Sequence, residues 1–399
     1  MKKKILILGG GFAGVEAAIF LRKEKFNVTL ISNRDYFYIY PTSIWVPTGE
    51  SKFEDVCVPL KDLQKAHGFE LIIDDVKSIK SKEGKVYCQN NTYEYEYLIV
   101  AMGSGKMKHE GSENFLSICG APEDSVKIKE KIDQLIEKGS GKIAMGFGGN
   151  PKDPSNVRGG PAFEVLFNVH NQLKKLGIRD NFELTFFAPM AEPGARMGKK
   201  ALKMMDMFFE RLDINKHFGK KITKFEKDGI VFEDGSKLDS DFTMFIPAGN
   251  GHDVFANSDL PLNEAGLIRI NDYCEVKHDF DESREAEDGI YRVFAIGDSA
   301  AMQGPDWRAK QGHIAEVMAR NVAFNIDMMV KGSDERKGYE EHINILCVMD
   351  SGDGAAFVYR DHKGGRMIPM PVVGHWLKKG WGWYCKNSKL GRIPRIPGM

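Results

Sequence analysis

Long hydrophobic runs are missing from this sequence. No stretch approaches the roughly 18 apolar residues that a membrane-spanning helix needs, so we expect no transmembrane segment. An excess of charge of either sign is missing as well, because 56 basic residues balance 56 acidic ones. A chain without net charge gives no global electrostatic reason to bind nucleic acid or a strongly acidic partner.

Cysteine is scarce and scattered. The six cysteines are Cys57, Cys88, Cys119, Cys274, Cys347 and Cys385. They lack the close paired spacing of a zinc site, so we predict no metal centre. A secretory signal is not recognised either, because the apolar run at residues 5–8 stops at three successive glycines. We therefore predict buried thiols, or one redox-active cysteine, rather than a disulfide framework.

A glycine turn follows the first predicted strand. Gly9, Gly11 and Gly14 form a Gly-x-Gly-x-x-Gly pattern between residues 5–8 and a helix-compatible stretch at residues 15–25. Glycines in this position allow a tight turn and a close approach of backbone to a pyrophosphate, and the helix N-terminus favours the anion. The pattern therefore predicts a dinucleotide site at the start of the chain.

The strand predicted at residues 28–31 ends without an acidic residue. Ser32 or Asn33 stands where a carboxylate commonly binds the adenosine ribose of a dinucleotide. A neutral side chain can still form a hydrogen bond with a ribose hydroxyl, so we keep both residues as candidate contacts.

A second glycine-rich turn, at residues 146–151, is poorly suited to a nicotinamide cofactor. It lacks a third glycine at the required spacing, and Pro151 stands where a helix should begin. The next predicted strand, at residues 184–187, runs into Ala188 and Pro189 instead of an acidic residue. We therefore predict that the chain does not bind NADH tightly.

The remaining periodic segments predict an α/β protein. With 399 residues, of which 42% are hydrophobic, two or three globular units are expected. We predict a hairpin from residues 86–90 and 92–95, strands at 97–101, 143–145, 293–296, 346–348 and 355–359, and helices from 160 to about 175 and from 309 to about 329.

Several segments resemble known flavoproteins. The glycine turn, YLIVAMG at 97–103 and VFAIGD at 293–298 resemble the flavoproteins with two dinucleotide-binding domains. LISNRDYF at 30–37, PTSIWV at 41–46, GPAFE at 160–164 and CVMDSGD at 347–353 are similar to sulfide:quinone oxidoreductases. The resemblance implies an FAD cofactor that passes electrons from sulfide to a quinone in the membrane.

The same resemblance implies a fold of two Rossmann-like domains plus a small C-terminal domain that faces the membrane. The expected domains are residues 1–110 and 251–335 for FAD, 111–250 for a degenerate nicotinamide-type domain, and 336–399 for the C-terminal domain. The expected FAD contacts are Gly9, Gly11, Gly14, Ser32, Asn33, Pro41, Ala101, Gly103, Gly297, Asp298 and Lys310.

Cysteine placement agrees only in part with that family. By resemblance, Cys347 is the cysteine near the flavin, and Cys119 is an accessory cysteine. The family's other central cysteine precedes the Gly-Pro-Ala segment, where this chain has Arg158. We expect Arg158 to lower the pKa of Cys347 and favour its nucleophilic form. The alternative is that Cys347 is an ordinary buried cysteine.

Two further charged side chains are candidate site residues. Glu164 lies at the start of a predicted helix, where it is either a catalytic acid or base or a first-turn residue stabilised by the helix dipole. Lys310, followed by Gln311, is expected to approach the flavin ring, where a positive charge favours the anionic reduced form. A solvated helix face is the alternative for both residues.

The tail combines aromatic and basic residues. Trp376, Trp381, Trp383 and Tyr384 alternate with Lys378, Lys379, Lys386 and Lys389. This mixture suits the headgroup boundary of a lipid bilayer, although the aromatic rings could instead pack on the core. By resemblance, Val348, Trp381 and Tyr384 are expected to line a quinone site.

The leading interpretation is a peripheral membrane flavoprotein of the sulfide:quinone type on the cytoplasmic face. A type II NADH:quinone oxidoreductase is the second interpretation, because residues 309–312 resemble that family's helix motif. A third is a flavoprotein that relays electrons to a protein partner. The sequence leaves the oligomeric state open, a homo-oligomer included.

Overall fold

The computed structural model describes residues 3–276 and 292–395. Its first part alternates strands and helices from β1 to β10. These elements are β1 (Lys4–Leu8), α1 (Phe12–Lys23), β2 (Asn27–Ser32), β3 (Tyr36–Tyr38), α2 (Tyr40–Ser43), β4 (Cys57–Pro59), α3 (Leu60–His67), β5 (Glu70–Ile73), β6 (Val76–Lys80), β7 (Lys85–Cys88), β8 (Thr92–Glu94), β9 (Tyr97–Val100) and β10 (Gly105–Lys106).

The middle of the chain forms a second group of elements. They are α4 (Asp124–Lys138), β11 (Gly141–Phe147), α5 (Gly160–Lys175), β12 (Phe182–Ala188), α6 (Lys199–Arg211), β13 (Asn215–Phe218), β14 (Ile222–Glu226), β15 (Gly229–Phe232), β16 (Lys237–Asp239), β17 (Phe242–Ile246) and β18 (Gly249–Asn250).

The last part returns to the first group and then adds a C-terminal unit. Its elements are α7 (Asp253–Ala256), β19 (Ile268–Arg269), β20 (Val293–Ala295), β21 (Ala300–Ala301), α8 (Gly312–Val330), β22 (Ile345–Asp350), β23 (Gly354–Asp361), β24 (Gly364–Pro371) and α9 (Val373–Lys389).

A parallel sheet of order β20-β9-β1-β2-β5 forms the core of the first domain. Its strand β20 comes from the far end of the chain, so the domain closes only after the second domain is complete. The apolar residues of β1 are fully buried, as expected of a parallel strand covered on both faces. Helices α1 and α8 pack against each other beside this sheet.

A second parallel sheet, of order β13-β12-β11-β17, forms the core of the middle domain. Helix α5 packs on this sheet through Phe163, whose ring stacks on Phe186 with 4.1 Å between ring centroids. The two chain segments that connect the domains, β10 and β18, pair with each other in antiparallel register. These two parallel sheets confirm the predicted α/β class with two Rossmann-like domains.

The C-terminal unit is an antiparallel sheet of order β22-β23-β24 with α9 packed on it. In the described ranges, 3–276 and 292–395, no helix combines the length and the apolar composition needed to cross a bilayer.

Most predicted elements are present. The hairpin is confirmed as β7 and β8, and the helix predicted from residue 160 is confirmed as α5. The predicted start of α8 is wrong by three residues, since Gln311 is extended and the helix begins at Gly312. Lys310 lies outside the helix because its backbone N–H donates to the Ser155 carbonyl oxygen at 3.3 Å.

Candidate active site

The glycine turn after β1 has two kinds of glycine. A methyl group at Gly14 would lie 1.9 Å from the carbonyl oxygen of Gly9, and one at Gly9 would lie 2.3 Å from that of Ala101. At Gly11, by contrast, no protein atom lies within 4 Å of the position that a methyl group would take. Gly9 and Gly14 are therefore required by packing, and Gly11 borders open space at the N-terminus of α1. That space fits a dinucleotide pyrophosphate.

This difference predicts different results for two alanine substitutions. Gly14→Ala forces a backbone overlap and should destabilise the fold by about 1–3 kcal/mol. Gly11→Ala should leave the unfolding temperature of the FAD-free protein nearly unchanged and lower FAD occupancy by at least about tenfold, because the methyl group occupies the ligand's space. Thermal unfolding and the flavin content of purified protein measure both effects. An unchanged FAD content in Gly11→Ala would contradict this placement of the pyrophosphate.

The ends of β9 and β20 lie beside the glycine turn. The Ser299 hydroxyl donates to the Gly103 carbonyl oxygen at 2.9 Å, which joins the two strand ends. Gly297 has φ of +63°, and a methyl group there would lie 3.2 Å from the Ala13 Cβ of α1. The structure thus brings together residues from the beginning and the end of the first domain, as an FAD site shared by both segments requires.

The remaining expected cofactor contacts lie at the edges of this region. Ser32 ends β2, and its hydroxyl donates to the Arg34 carbonyl oxygen at 2.7 Å, whereas Asn33 is exposed. Pro41 is in the first turn of α2. Their contacts with FAD stay predictions.

Asp298 is the centre of a charged group at the end of β20. Its carboxylate pairs with Arg158, and its carbonyl oxygen accepts a hydrogen bond from Lys310 Nζ at 2.8 Å. Burial lowers the pKa of Lys310 to about 7, so the charge of this lysine responds to what binds beside it.

Gln311 fixes strand β22 next to this group. Its side-chain oxygen accepts from the Leu346 backbone N–H at 3.2 Å, and its side-chain nitrogen donates to the Leu346 carbonyl oxygen at 3.4 Å. Cys347, the next residue of β22, is therefore held close to the segment that carries Lys310 and Asp298. This placement agrees with the expectation that Cys347 lies near the flavin.

The expected effect of Arg158 on Cys347 is wrong. Burial raises the pKa of the Cys347 thiol to about 12, and the negative charge of Glu164 raises it further against the opposing effect of Lys378. The side chain of Arg158 is directed to Asp298 and is not among the charges that shift this thiol. Cys347 is consequently a protonated thiol at neutral pH, and it needs a base before it can act as a nucleophile.

Glu164 and Lys378 form a buried ion pair beside Cys347. Glu164 Oε1 pairs with Lys378 Nζ and also accepts a hydrogen bond from the Asp350 backbone N–H at 2.8 Å. Burial raises the pKa of Glu164, while the charge of Lys378 opposes this shift. A carboxyl group with a raised pKa in a protected site can exchange protons near neutral pH.

A second buried polar group adjoins this ion pair. Asp350 Oδ2 lies 2.7 Å from His375 Nδ1, and His375 Nε2 lies 2.8 Å from Glu50 Oε1. Asp350 Oδ1 also accepts hydrogen bonds from Trp45 Nε1 at 3.2 Å and from Asn168 Nδ2 at 3.0 Å. Sequence reasoning missed His375 and Asp350, because neither lies in a recognisable catalytic motif.

The other expected cysteine, Cys119, is buried in the second hydrophobic core. None of the six cysteines forms a disulfide in the structure, which describes all six positions. The accessory role of Cys119 stays a prediction.

The residues expected to line a quinone site do not share one cavity. Trp381 and Tyr384 line a cavity of about 20 Å³ between α9 and residues Glu316 and Arg395. Val348 lies on β22 and is not part of this lining. A cavity of this size holds about one water molecule, so a quinone ring would require side chains of α9 to move.

The second glycine-rich turn has no open cradle. A methyl group at Gly148 would lie 3.0 Å from the Phe245 ring, and the Asn150 side chain donates to the Gly249 carbonyl oxygen at 2.8 Å. Because α5 begins only at Gly160, β11 is not followed by the immediate turn and helix that bind a pyrophosphate. This geometry agrees with the predicted weakness of NADH binding.

The first domain therefore carries a site shaped for a dinucleotide, and the protein as a whole is a flavin-dependent oxidoreductase that uses FAD. The family model for pyridine nucleotide-disulphide oxidoreductases matches residues 3–319, so the chain belongs to that family.

Relatives of known name support the resemblance found in the motifs. The chain is 29% identical over 375 residues to a sulfide-quinone reductase of Aquifex aeolicus, covering 90% of this chain and 84% of the relative. It is 22% identical over 384 residues to a type II NADH:quinone oxidoreductase of Staphylococcus epidermidis, covering 90% of both.

Solved structures agree with these relatives. The sulfide:quinone oxidoreductase of Aquifex aeolicus superposes with a TM-score of 0.85 at 25% identity, covering 98% of this chain and 93% of that one. NDH2 from Plasmodium falciparum superposes with a TM-score of 0.76 at 13% identity over the full length of both chains, a likeness of fold alone. The resemblance to sulfide:quinone oxidoreductases is confirmed.

Proposed function

We propose that this protein transfers electrons from sulfide, or a related sulfur compound, through FAD to a membrane quinone. The observation that carries the proposal is the position of Cys347, which Gln311 holds beside the flavin segment and which adjoins the buried Glu164–Lys378 pair. The proposal is tested by following the reduction of a soluble quinone analogue by sulfide with FAD-loaded protein. No quinone reduction would contradict it.

FAD, when bound, accepts two electrons from a donor and passes them to an acceptor. The residues around Cys347 supply the sulfur chemistry. The Cys347 thiol and a hydrosulfide ion lose two protons and two electrons as a persulfide S–S bond forms, and the electrons leave through the flavin to the quinone. Glu164, with its raised pKa, takes up the thiol proton. A second hydrosulfide then breaks the S–S bond, leaves as a hydrodisulfide and restores the Cys347 thiolate.

The absence of a second central cysteine is compatible with this sequence of steps. Persulfide formation on one cysteine needs no disulfide, because the electron acceptor is the flavin. Arg158, in the place of the missing cysteine, pairs with Asp298 and so belongs to the flavin side of the site.

The high pKa of Cys347 predicts an unusual pH dependence of its alkylation. The thiolate is the reactive form, so the rate with iodoacetamide should rise about tenfold per pH unit from pH 7 to 10. An ordinary thiol, such as glutathione, begins to level off near its pKa of about 9 in the same range. Peptide mass spectrometry after timed alkylation measures the rate at Cys347, and a rate that levels off below pH 9 would contradict the assignment.

Quinone reduction also requires protons. A quinone becomes a quinol by taking up two electrons and two protons, and the anionic reduced flavin can release only one of these protons. We assign the supply of the other to the Glu164–Lys378 pair, which is the buried proton-exchanging group nearest to Cys347.

Helix α9 is the proposed membrane-binding surface, because its faces are inverted relative to an ordinary surface helix. Its inward face carries His375, Lys378 and Lys389, all buried. Its outward face carries large apolar side chains, which are Val373, Trp376, Leu377 and Trp383. The expectation that all four lysines face lipid headgroups is thus wrong for Lys378 and Lys389, whereas the exposed apolar face suits insertion at a bilayer surface.

Charge substitutions on this face should release the protein from membranes. We expect Trp376→Glu combined with Leu377→Glu to lower cosedimentation with anionic phospholipid vesicles by at least about tenfold, because two large apolar side chains lose their burial in lipid. The matched control is Met207→Glu on α6, since Met207 and Trp376 are 66% and 64% exposed. Equal binding of the α9 variant and the control would contradict this surface.

Reduction by NADH is the second candidate function. The Gln311 side chain and the similarity to type II NADH:quinone oxidoreductases favour it, but the closed turn at Gly148 and Asn150 leaves the nicotinamide nucleotide without a cradle. We therefore place sulfide ahead of NADH as the electron donor, and the peripheral position on the cytoplasmic face remains part of the proposal.

A further inference from the structure

Asp350, His375 and Glu50 form a continuous line from the buried ion pair to the protein surface. The side chain of Asp350 is fully buried, that of His375 is 10% exposed, and that of Glu50 is 29% exposed. The imidazole lies between the two carboxylates, at 2.7 Å from Asp350 and 2.8 Å from Glu50. Each contact has the length of a charge-assisted hydrogen bond.

The geometry fixes the number of protons that this group holds. Each imidazole nitrogen faces a carboxylate oxygen, so a proton must lie in each contact for both to be hydrogen bonds. The three side chains together then hold two protons and one net negative charge. Lys379, 2.6 Å from Glu50, balances that charge at the surface.

The inner end of the line meets Glu164. The Asp350 backbone N–H donates to Glu164 Oε1 at 2.8 Å. The Asn168 side chain donates both to Asp350 Oδ1 at 3.0 Å and to the Glu164 carbonyl oxygen at 2.8 Å. These contacts hold the Asp350 carboxyl group beside the residue whose carboxyl group pairs with Lys378.

The outer end opens into a surface cleft of about 390 Å³. Glu50, His375, Lys379 and Trp376 line this cleft, together with Lys175 and Asp353 on its other side. The cleft is large enough for many water molecules. It adjoins the apolar outward face of α9 through Trp376, so it opens at the level where the membrane-binding surface ends.

We propose that Asp350, His375 and Glu50 deliver protons from the water of this cleft to the Glu164–Lys378 pair during quinone reduction. Glu164–Lys378 gives a proton to the reduced quinone, Asp350 replaces it, and the imidazole passes on a proton taken from Glu50 and water. One proton enters for each proton transferred, and the net charge of the group is restored. The proposal rests on quinone reduction being the function of the site, and it makes His375 a positioning and relay residue.

The relay is tested in FAD-loaded protein by reducing the flavin first and then mixing it with a soluble quinone. His375→Gln should slow flavin reoxidation by at least about tenfold, and added imidazole should restore part of the rate. The rate of flavin reduction by the electron donor should stay unchanged. In the wild type, reoxidation should slow in D2O, and this solvent isotope effect should change in the variant.

His67→Gln is the matched control. His67 Nε2 also contacts α9, at 2.6 Å from the Lys389 carbonyl oxygen, but it lies outside the Asp350–Glu50 line. Normal reoxidation in His67→Gln with slow, imidazole-rescued reoxidation in His375→Gln supports the relay. A wild-type rate in His375→Gln, or equal slowing in both variants without rescue, overturns it. Wild-type protein that quinone does not reoxidise would instead overturn the proposed function, and the relay with it.

Discussion

Replacing Cys347 by serine is expected to slow sulfide-dependent flavin reduction by at least about 100-fold, equivalent to about 2.7 kcal/mol of transition-state stabilisation. The serine hydroxyl fits the site but cannot form the persulfide S–S bond. Reoxidation of the chemically reduced flavin by quinone should stay within about twofold of the wild type, because that half-reaction does not need the thiol. Anaerobic stopped-flow absorbance measures each half-reaction separately.

The matched control for this variant is Cys274→Ser. Cys274 is also a buried thiol whose pKa is raised by burial, but it lies in the core of the first domain. Its replacement should leave sulfide-dependent reduction unchanged in folded protein. Unchanged reduction in Cys347→Ser would return Cys347 to the alternative of an ordinary buried cysteine.

Removing Glu164 alone is expected to destabilise the protein by about 3–5 kcal/mol, because Glu164→Ala leaves the ammonium group of Lys378 buried without its counter-charge. The backbone N–H of Asp350 loses its hydrogen-bond acceptor as well. Chemical denaturation of the wild type and the variant measures the change in the free energy of unfolding.

The double variant Glu164→Gln, Lys378→Met separates stability from function. It removes both charges, so it should recover most of the lost stability. Quinone-dependent reoxidation should nevertheless stay at least about tenfold slower than in the wild type, since the proton-exchanging pair is gone. A double variant that reoxidises normally would show that the ion pair is only structural.

The sequence was most informative where one backbone segment fixes the geometry by itself. The spacing of Gly9, Gly11 and Gly14 after an apolar strand predicts β1, α1 and the nucleotide turn, because each glycine answers a local steric demand. The helix from Gly160 was predictable for the same reason, since its apolar periodicity is local.

The buried polar residues of the candidate site were not predictable in this way. Lys378 and His375 belong to a tail whose alternation of aromatic and basic residues indicates a headgroup-facing segment. Their burial depends on Glu164 and Asp350, which lie 214 and 25 residues away in the sequence. Spacing within the tail contains no information about these partners, and the same holds for the pairing of Arg158 with Asp298.

The source of the electrons is tested most directly by mixing anaerobic, oxidised, FAD-loaded protein with sulfide and, separately, with NADH. The absorbance of the oxidised flavin reports its reduction in each case. We predict that sulfide bleaches the flavin and that NADH does not, because Cys347 lies beside the flavin segment and the second glycine-rich turn is closed. Bleaching by NADH alone would contradict this account in favour of a type II NADH:quinone oxidoreductase, and bleaching by neither would indicate a flavoprotein that relays electrons for a partner.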